Sequence, residues 1–165
     1  MIQLGIDVGL TGAIAALTDD GALLSVEDLP VMTHGSAKWI DGQTLLSQLL
    51  EIRNGTPARA IVELTHAMPK LGTVAANSKG MTLGSVLATL QIAGVAIELV
   101  SPATWKRDLA LIAPKSSDRE KKAASLSKAR MLFPTADLDR VRDHNRAEAL
   151  LLAYWAARRH WSKAA

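Results

Sequence analysis

Apolar positions near the start of the chain fall into two almost unbroken runs, residues 2–8 and 12–18, on either side of Gly9-Leu-Thr-Gly12. That pattern predicts a β-hairpin with a short loop, its first strand buried on both faces. Asp19-Asp20-Gly21 predicts a turn, and residues 23–29 a third strand stopped by Pro30. The polar, mixed segment 31–38 reads as a loop. From Asp41, a candidate N-cap, apolar positions recur with helical spacing at Leu45, Leu46, Leu49, Leu50 and Ile52 until Asn54-Gly55 closes the helix. Residues 58–63 predict the fourth strand and residues 95–100 the fifth.

Residues 65–80 show no strong period and predict a long connection, of a length that is often functional. A helix follows from about Met81, with Leu83, Leu87 and Leu90 on one face, and ends at Gly94. Gly80 and Gly84, one turn apart near its start, would admit either tight helix–strand packing or the close approach of another backbone or a DNA strand. Ser101-Pro102 opens a short helix carrying Trp105, Lys106 and Arg107, broken by Ala113-Pro114. Ser117-Asp-Arg-Glu120 fits a capping box and opens a basic helix that reaches Phe133 before Pro134. The last helix, residues 143–159, is apolar all round after its first turn, so it is expected to be buried. The sum is an α/β fold, a mixed five-stranded sheet flanked by helices, as one domain over residues 1–165.

Composition narrows the chemistry. Cysteine is absent, which removes disulfides and thiolate metal sites. No apolar run reaches the roughly 18 residues of a membrane span, and no signal-peptide pattern opens the chain, which predicts a cytoplasmic protein. The net charge of +3 conceals an asymmetry: residues 1–100 carry five Lys/Arg against nine Asp/Glu, residues 101–165 fourteen against seven. A basic surface built by the C-terminal third could meet a polyanion.

Three acids sit where a charge needs a reason. Asp7 ends the first buried strand beside a glycine-rich turn, and Glu63 ends the fourth. Burying either carboxylate is costly without a cation or hydrogen-bond donors, although Asp7 could bond its own turn and Glu63 could simply open a loop. Ligands in α/β sheets gather beyond strand ends, so the two could converge. Glu148 is the only charge between Ala147 and Ala157 of the last helix. His144 and Asn145 share its face. Asp143 lies about 140° away at helical spacing, but could approach from the cap position or act as a plain N-cap. Carboxylates without cysteine suit Mg²⁺ or Mn²⁺, and two such ions can drive phosphodiester cleavage. No nucleophilic triad motif is present.

The ordered set Gly5-Ile-Asp-Val-Gly-Leu-Thr-Gly-Ala-Ile14, Ile61-Val-Glu63, Gly80-x-x-x-Gly84, Glu98-Leu-Val-Ser-Pro-Ala-Thr-Trp-Lys106, Lys121 to Phe133-Pro134, and Asp143-His-Asn-Arg-Ala-Glu-Ala149 resembles the RuvC-type Holliday junction resolvases of the phage-like branch. These belong to the ribonuclease H-like nuclease superfamily, and the resemblance covers nearly the whole chain. It implies a ribonuclease H-like fold and a homodimer that binds four-way or branched DNA in a bacterial or phage-infected cell. It also implies paired Mg²⁺-dependent nicks leaving 5′-phosphate and 3′-hydroxyl ends, with Mn²⁺ as a substitute, and leaves open a branch-migration motor as a further partner. By position Asp7 and Glu63 match the first two metal ligands. The loop after Glu63 matches the segment that probes the junction centre, with Met68 where an aromatic is expected. Lys70, Lys79, Lys106, Lys115, Lys121 and Lys122 are the candidate phosphate contacts. The family's last helix carries two acids three residues apart. Here Glu148 matches the second and Asn145 stands at the first, so either Asp143 swings in from the cap, or His144 or Asn145 supplies the remaining ligand; Asp143 is the expected one, with His144 in reserve.

Two other readings stay open from sequence alone. A Gly9–Gly12 phosphate loop would suit an actin-like nucleotide-binding domain, though neither room nor repeat for its second half is evident. A decayed or broader-specificity branched-DNA-binding protein of the same fold would follow if the Asn145 replacement had abolished cleavage.

Overall fold

The computed structural model describes residues 1–64, 72–111, 117–140 and 142–164, the side chains of residues 118 and 160–164 excepted. Its centre is β1 (Ile2–Asp7), antiparallel to β2 (Ala13–Thr18), which in turn pairs antiparallel with β3 (Leu23–Asp28). On its other side β1 runs parallel to β6 (Ala58–Glu63), and β6 parallel to β7 (Ala96–Val100). The sheet order is β3-β2-β1-β6-β7.

Period-two alternation divides these strands between two apolar layers. Leu4, Ile6, Ile14, Ala16, Ala60 and Val62 face one layer, closed by α1 (Gly42–Arg53) and α2 (Thr73–Ile92). Ala13, Ala15, Leu17 and Ile61 face the other, filled by α3 (Pro102–Asp108), α4 (Asp118–Leu132) and above all α5 (His144–Ala164). Gly5 of β1 lies under α5 so closely that a Cβ there would stand 2.0 Å from the Ala149 carbonyl oxygen and 2.4 Å from the Ala153 nitrogen. The last helix therefore rests directly on the central strand, with Ala147, Ala149, Ala153 and Ala156 keeping it close.

The mixed five-stranded sheet, the hairpin and the capping box at Ser117 are as the sequence predicts. Three segments differ. Residues 31–38 belong to a second hairpin, β4 (Val31–His34) with β5 (Ala37–Ile40), turning at Gly35 with φ +60°. Most of this hairpin is exposed, so no apolar alternation announces it. α2 begins at Thr73, within the segment read as a connection; its first two turns bury almost nothing and Val74 is 85% exposed, so no helical period shows there. On α1, Leu45 and Leu49 are buried whereas Leu50, assigned to the same face, is exposed.

Gly80 and Gly84 open onto space, and a Cβ at either meets nothing within 4 Å. Tight helix–strand packing is therefore not their role among the described residues. Gly84→Ala is expected to stabilise the protein by about 0.5–1 kcal/mol, the ordinary helix-propensity gain, readable in urea denaturation.

Candidate active site

The same alternation that buries Gly5 and Ile61 beneath α5 brings Asp7 and Glu63 out on that face, at the ends of adjacent parallel strands. α5 crosses above them and supplies Glu148. One oxygen from each of Asp7, Glu63 and Glu148 lies within 4.8 Å of the others, a group able to hold a metal ion.

The electrostatics of this group follow from crowding. Burial first, then Glu148 and Glu63, push the Asp7 carboxyl up from 3.8 to about 7, against the opposing pull of Lys106 and Lys122. Glu63 is raised chiefly by its burial; Lys106 and the Trp105 hydrogen bond act the other way and Glu148 adds to the rise. A site that resists holding its own negative charges suits a divalent cation, which would relieve the repulsion.

Two adjacent residues of α3 hold two of the acids. The fully buried Trp105 donates its indole N–H to Glu63 Oε2 at 2.7 Å. Lys106 Nζ donates to both oxygens of Glu148, at 2.9 and 2.8 Å, and lies 5.0 Å from the Trp105 ring centroid. Ser125 of α4 donates to Glu148 Oε1 at 3.2 Å. The partner that a lone buried Glu148 requires is thus Lys106, read from sequence as a phosphate contact. Trp105 and Ser125 were not legible as site residues. The first had a signal in its place beside Lys106 on a capped helix, the second none.

The residues preceding Glu148 divide differently. Asp143 has a fully buried side chain that accepts from the Arg140 backbone N–H at 2.7 Å and from its Nε at 2.6 Å, while its carbonyl accepts from Ala147 N–H. Its carboxylate closes the turn before α5 and is not brought to the other acids. Asn145 donates from Nδ2 to the Thr11 carbonyl oxygen, and to Thr11 Oγ1 at 3.1 Å, tying α5 to the β1–β2 turn. His144 lies between these two. Burial and Lys122 lower its pKa, against Glu148 and Asp143, so it is neutral at pH 7 and its ring can offer a lone pair. It lies outside the close group of acids among the described residues.

Of the candidate phosphate contacts, Lys79 is exposed on α2, and Lys121 and Lys122 stand in the first two turns of α4, with Lys122 near enough to influence Asp7. Lys70 and Lys115 lie outside the described residues. In the β1–β2 turn the Gly12 N–H is spent on the Gly9 carbonyl at 3.0 Å, so it is not offered to a phosphate.

A sheet of this order, with acids at the ends of two neighbouring parallel strands and a third on the helix laid across them, defines a ribonuclease H-like fold of the RuvC type. Two solved structures carry that comparison. T. thermophilus RuvC in complex with a Holliday junction substrate superposes with a TM-score of 0.67 and 22% identity, over 98% of this chain and 96% of that one. A second T. thermophilus RuvC structure gives a TM-score of 0.61 and 22% identity, over 98% of this chain and 97% of that one. In sequence, 97 residues are 37% identical to the chloroplastic Holliday junction resolvase MOC1 of Chlamydomonas reinhardtii. That match covers 58% of this chain and 10% of the relative's length. No family model matches the chain. No helix among the described residues is long and apolar enough to cross a membrane.

Proposed function

We propose that this chain is a divalent-metal-dependent endonuclease that resolves four-way DNA junctions by paired symmetric nicks, acting as a homodimer in recombination and repair. The observation that carries this reading is the convergence of Asp7, Glu63 and Glu148 in a RuvC-type fold. The sequence identity to a Holliday junction resolvase supports it. The three carboxylates would hold the cation. His144, neutral and on the face of Glu148, is the fourth ligand in this reading, since both carboxylate oxygens of Asp143 are spent on Arg140, and Asn145, whose Nδ2 is held by Thr11, is the residue against which it is tested. The donor set suits Mg²⁺, with Mn²⁺ in its place.

When bound, the metal would supply an activated water and offset charge on the leaving oxygen. The chain's own residues set the geometry for that chemistry. Trp105 fixes the orientation of Glu63, and Lys106 and Ser125 fix that of Glu148. Lys106 and Lys122 bring positive charge to the rim, where a phosphodiester must approach three acids.

The test is cleavage of an immobile four-way junction, end-labelled on each strand, in Mg²⁺, Mn²⁺ and EDTA. Paired nicks that vanish in EDTA are expected. Tight binding without nicks would instead support a decayed binding module. For the fourth ligand, His144→Ala should weaken Mn²⁺ binding about tenfold in calorimetry, a loss of about 1.4 kcal/mol. Asn145→Ala should leave that affinity nearly unchanged, and equal losses in both would remove His144 from the ligand set.

A further inference from the structure

A cleft of about 360 Å³, near the small end of the roughly 300–1,000 Å³ range of ligand sites, is lined by segments that continue into two of the acids. One wall is the β1–β2 turn at Thr11 and Gly12, which directly follows Asp7; the other is the start of α5, which directly precedes Glu148. Asn145 joins the two walls through Thr11, so their separation is set by hydrogen bonds between them. The cleft and the acidic group are thus consecutive along both chain segments.

Its charge is opposite to that of the acids. Arg140, Arg142 and Arg146 line it against the single carboxylate of Asp28. Asp28 holds two of them: Arg146 Nε at 2.7 Å and Arg140 Nη2 at 3.2 Å. Arg140 is further engaged by Asp143, and Arg146 by Asp137. Arg142 is exposed and forms no ion pair or hydrogen bond among the described residues. A guanidinium left without a partner on the rim of a cleft walled by two neutralised ones is suited to a phosphodiester.

We propose that this cleft is a subsite for one nucleotide of the DNA strand adjacent to the scissile phosphate, its backbone phosphate held by Arg142, with the Arg140–Asp28–Arg146 bridge as the wall behind it. The proposal rests on the junction-endonuclease reading and adds to it where the strand runs beside the acids. Size limits the occupant to a single nucleotide unit, and charge selects its phosphate. Asp28 holds the two wall arginines in place and limits how much positive charge the cleft presents.

The experiment measures the affinity of the full chain for an immobile four-way junction in EDTA across a salt series, for the parent, Arg142→Ala and Asp28→Asn. Circular dichroism melts confirm that each variant is folded. Arg142→Ala is expected to weaken binding about fivefold to tenfold at 0.1 M salt and to reduce the salt slope by about one, as the loss of one phosphate contact requires. Asp28→Asn is expected to tighten binding about threefold or more, because it removes the carboxylate and leaves the arginines. A parent that binds and nicks the junction, with Arg142→Ala matching it in affinity and slope, overturns the subsite while the endonuclease reading stands. Unchanged or weakened binding in folded Asp28→Asn likewise overturns the assigned wall. A parent that neither binds nor nicks the junction overturns the underlying reading itself.

Discussion

Asp7→Asn is expected to lower junction cleavage about a thousandfold or more, leave junction binding intact, and raise the melting temperature of the metal-free protein at pH 8. The loss in rate corresponds to about 4 kcal/mol of transition-state stabilisation, a reasonable share for a charged metal ligand. Binding survives because the amide keeps the carboxylate's shape and removes one of three repelling charges from the path of a phosphate. The gain in stability follows from linkage. In the fold the Asp7 carboxyl is pushed up to about 7, against an ordinary value of 3.8. Between those values the unfolded chain has released the proton while the folded chain still binds it. The metal-free protein therefore loses stability as pH rises from about 4 to 7, and the full cost persists above that window. Asparagine mimics the protonated form at every pH. The parent's melting temperature should fall across the window relative to the variant, and by pH 8 the gap should reach a few kcal/mol at most. A variant that cuts normally would remove Asp7 from the ligand set. A variant without the stability gain would remove the crowding from the account of the site.

Gly5→Ala should be the most damaging small substitution in the sheet. The added methyl would meet the Ala149 oxygen at 2.0 Å, the Ala153 nitrogen at 2.4 Å and the Leu152 Cβ at 2.9 Å. Two of these are backbone atoms of a buried helix and cannot turn aside. Relief requires α5 to lift from β1, at a cost of about 3 kcal/mol or more, which urea denaturation would read as a fall in midpoint. Because α5 carries Glu148 and β1 carries Asp7, the same shift separates two of the three acids. Mn²⁺ affinity should fall along with stability. A folded Gly5→Ala protein with parental stability would contradict the close approach of helix and strand.

What the sequence makes legible is what burial patterns. β1, β2 and β6 are covered on both faces, and their apolar runs betray them together with the acids at their ends. Glu148 stands out as a charge in an apolar helix for the same reason. The β4–β5 hairpin and the first turns of α2 bury little, so they leave no period to read. Asp143 was obscure for a different reason. Its spacing from Glu148 leaves its direction open, and the decisive partner, Arg140, lies in a turn whose shape no periodicity records. Lys106 was visible as a basic residue among many. Its engagement with Glu148 depends on α3 and α5 meeting across forty-two positions of sequence, which only the fold specifies.

The placement of α5 on β1 has a consequence for the order in which the chain acquires structure. β1 is synthesised before α5, and the surface that covers its Gly5 face is made more than a hundred residues later. Contacts of such separation are slow to form, because a long loop must close before they repay its entropy. Until then the nascent sheet has an uncovered apolar layer and two of its acids without the third. A chain interrupted before α5 would therefore be prone to stick to its neighbours and would lack Glu148, so a misplaced stop yields a product in which the group of three acids cannot form.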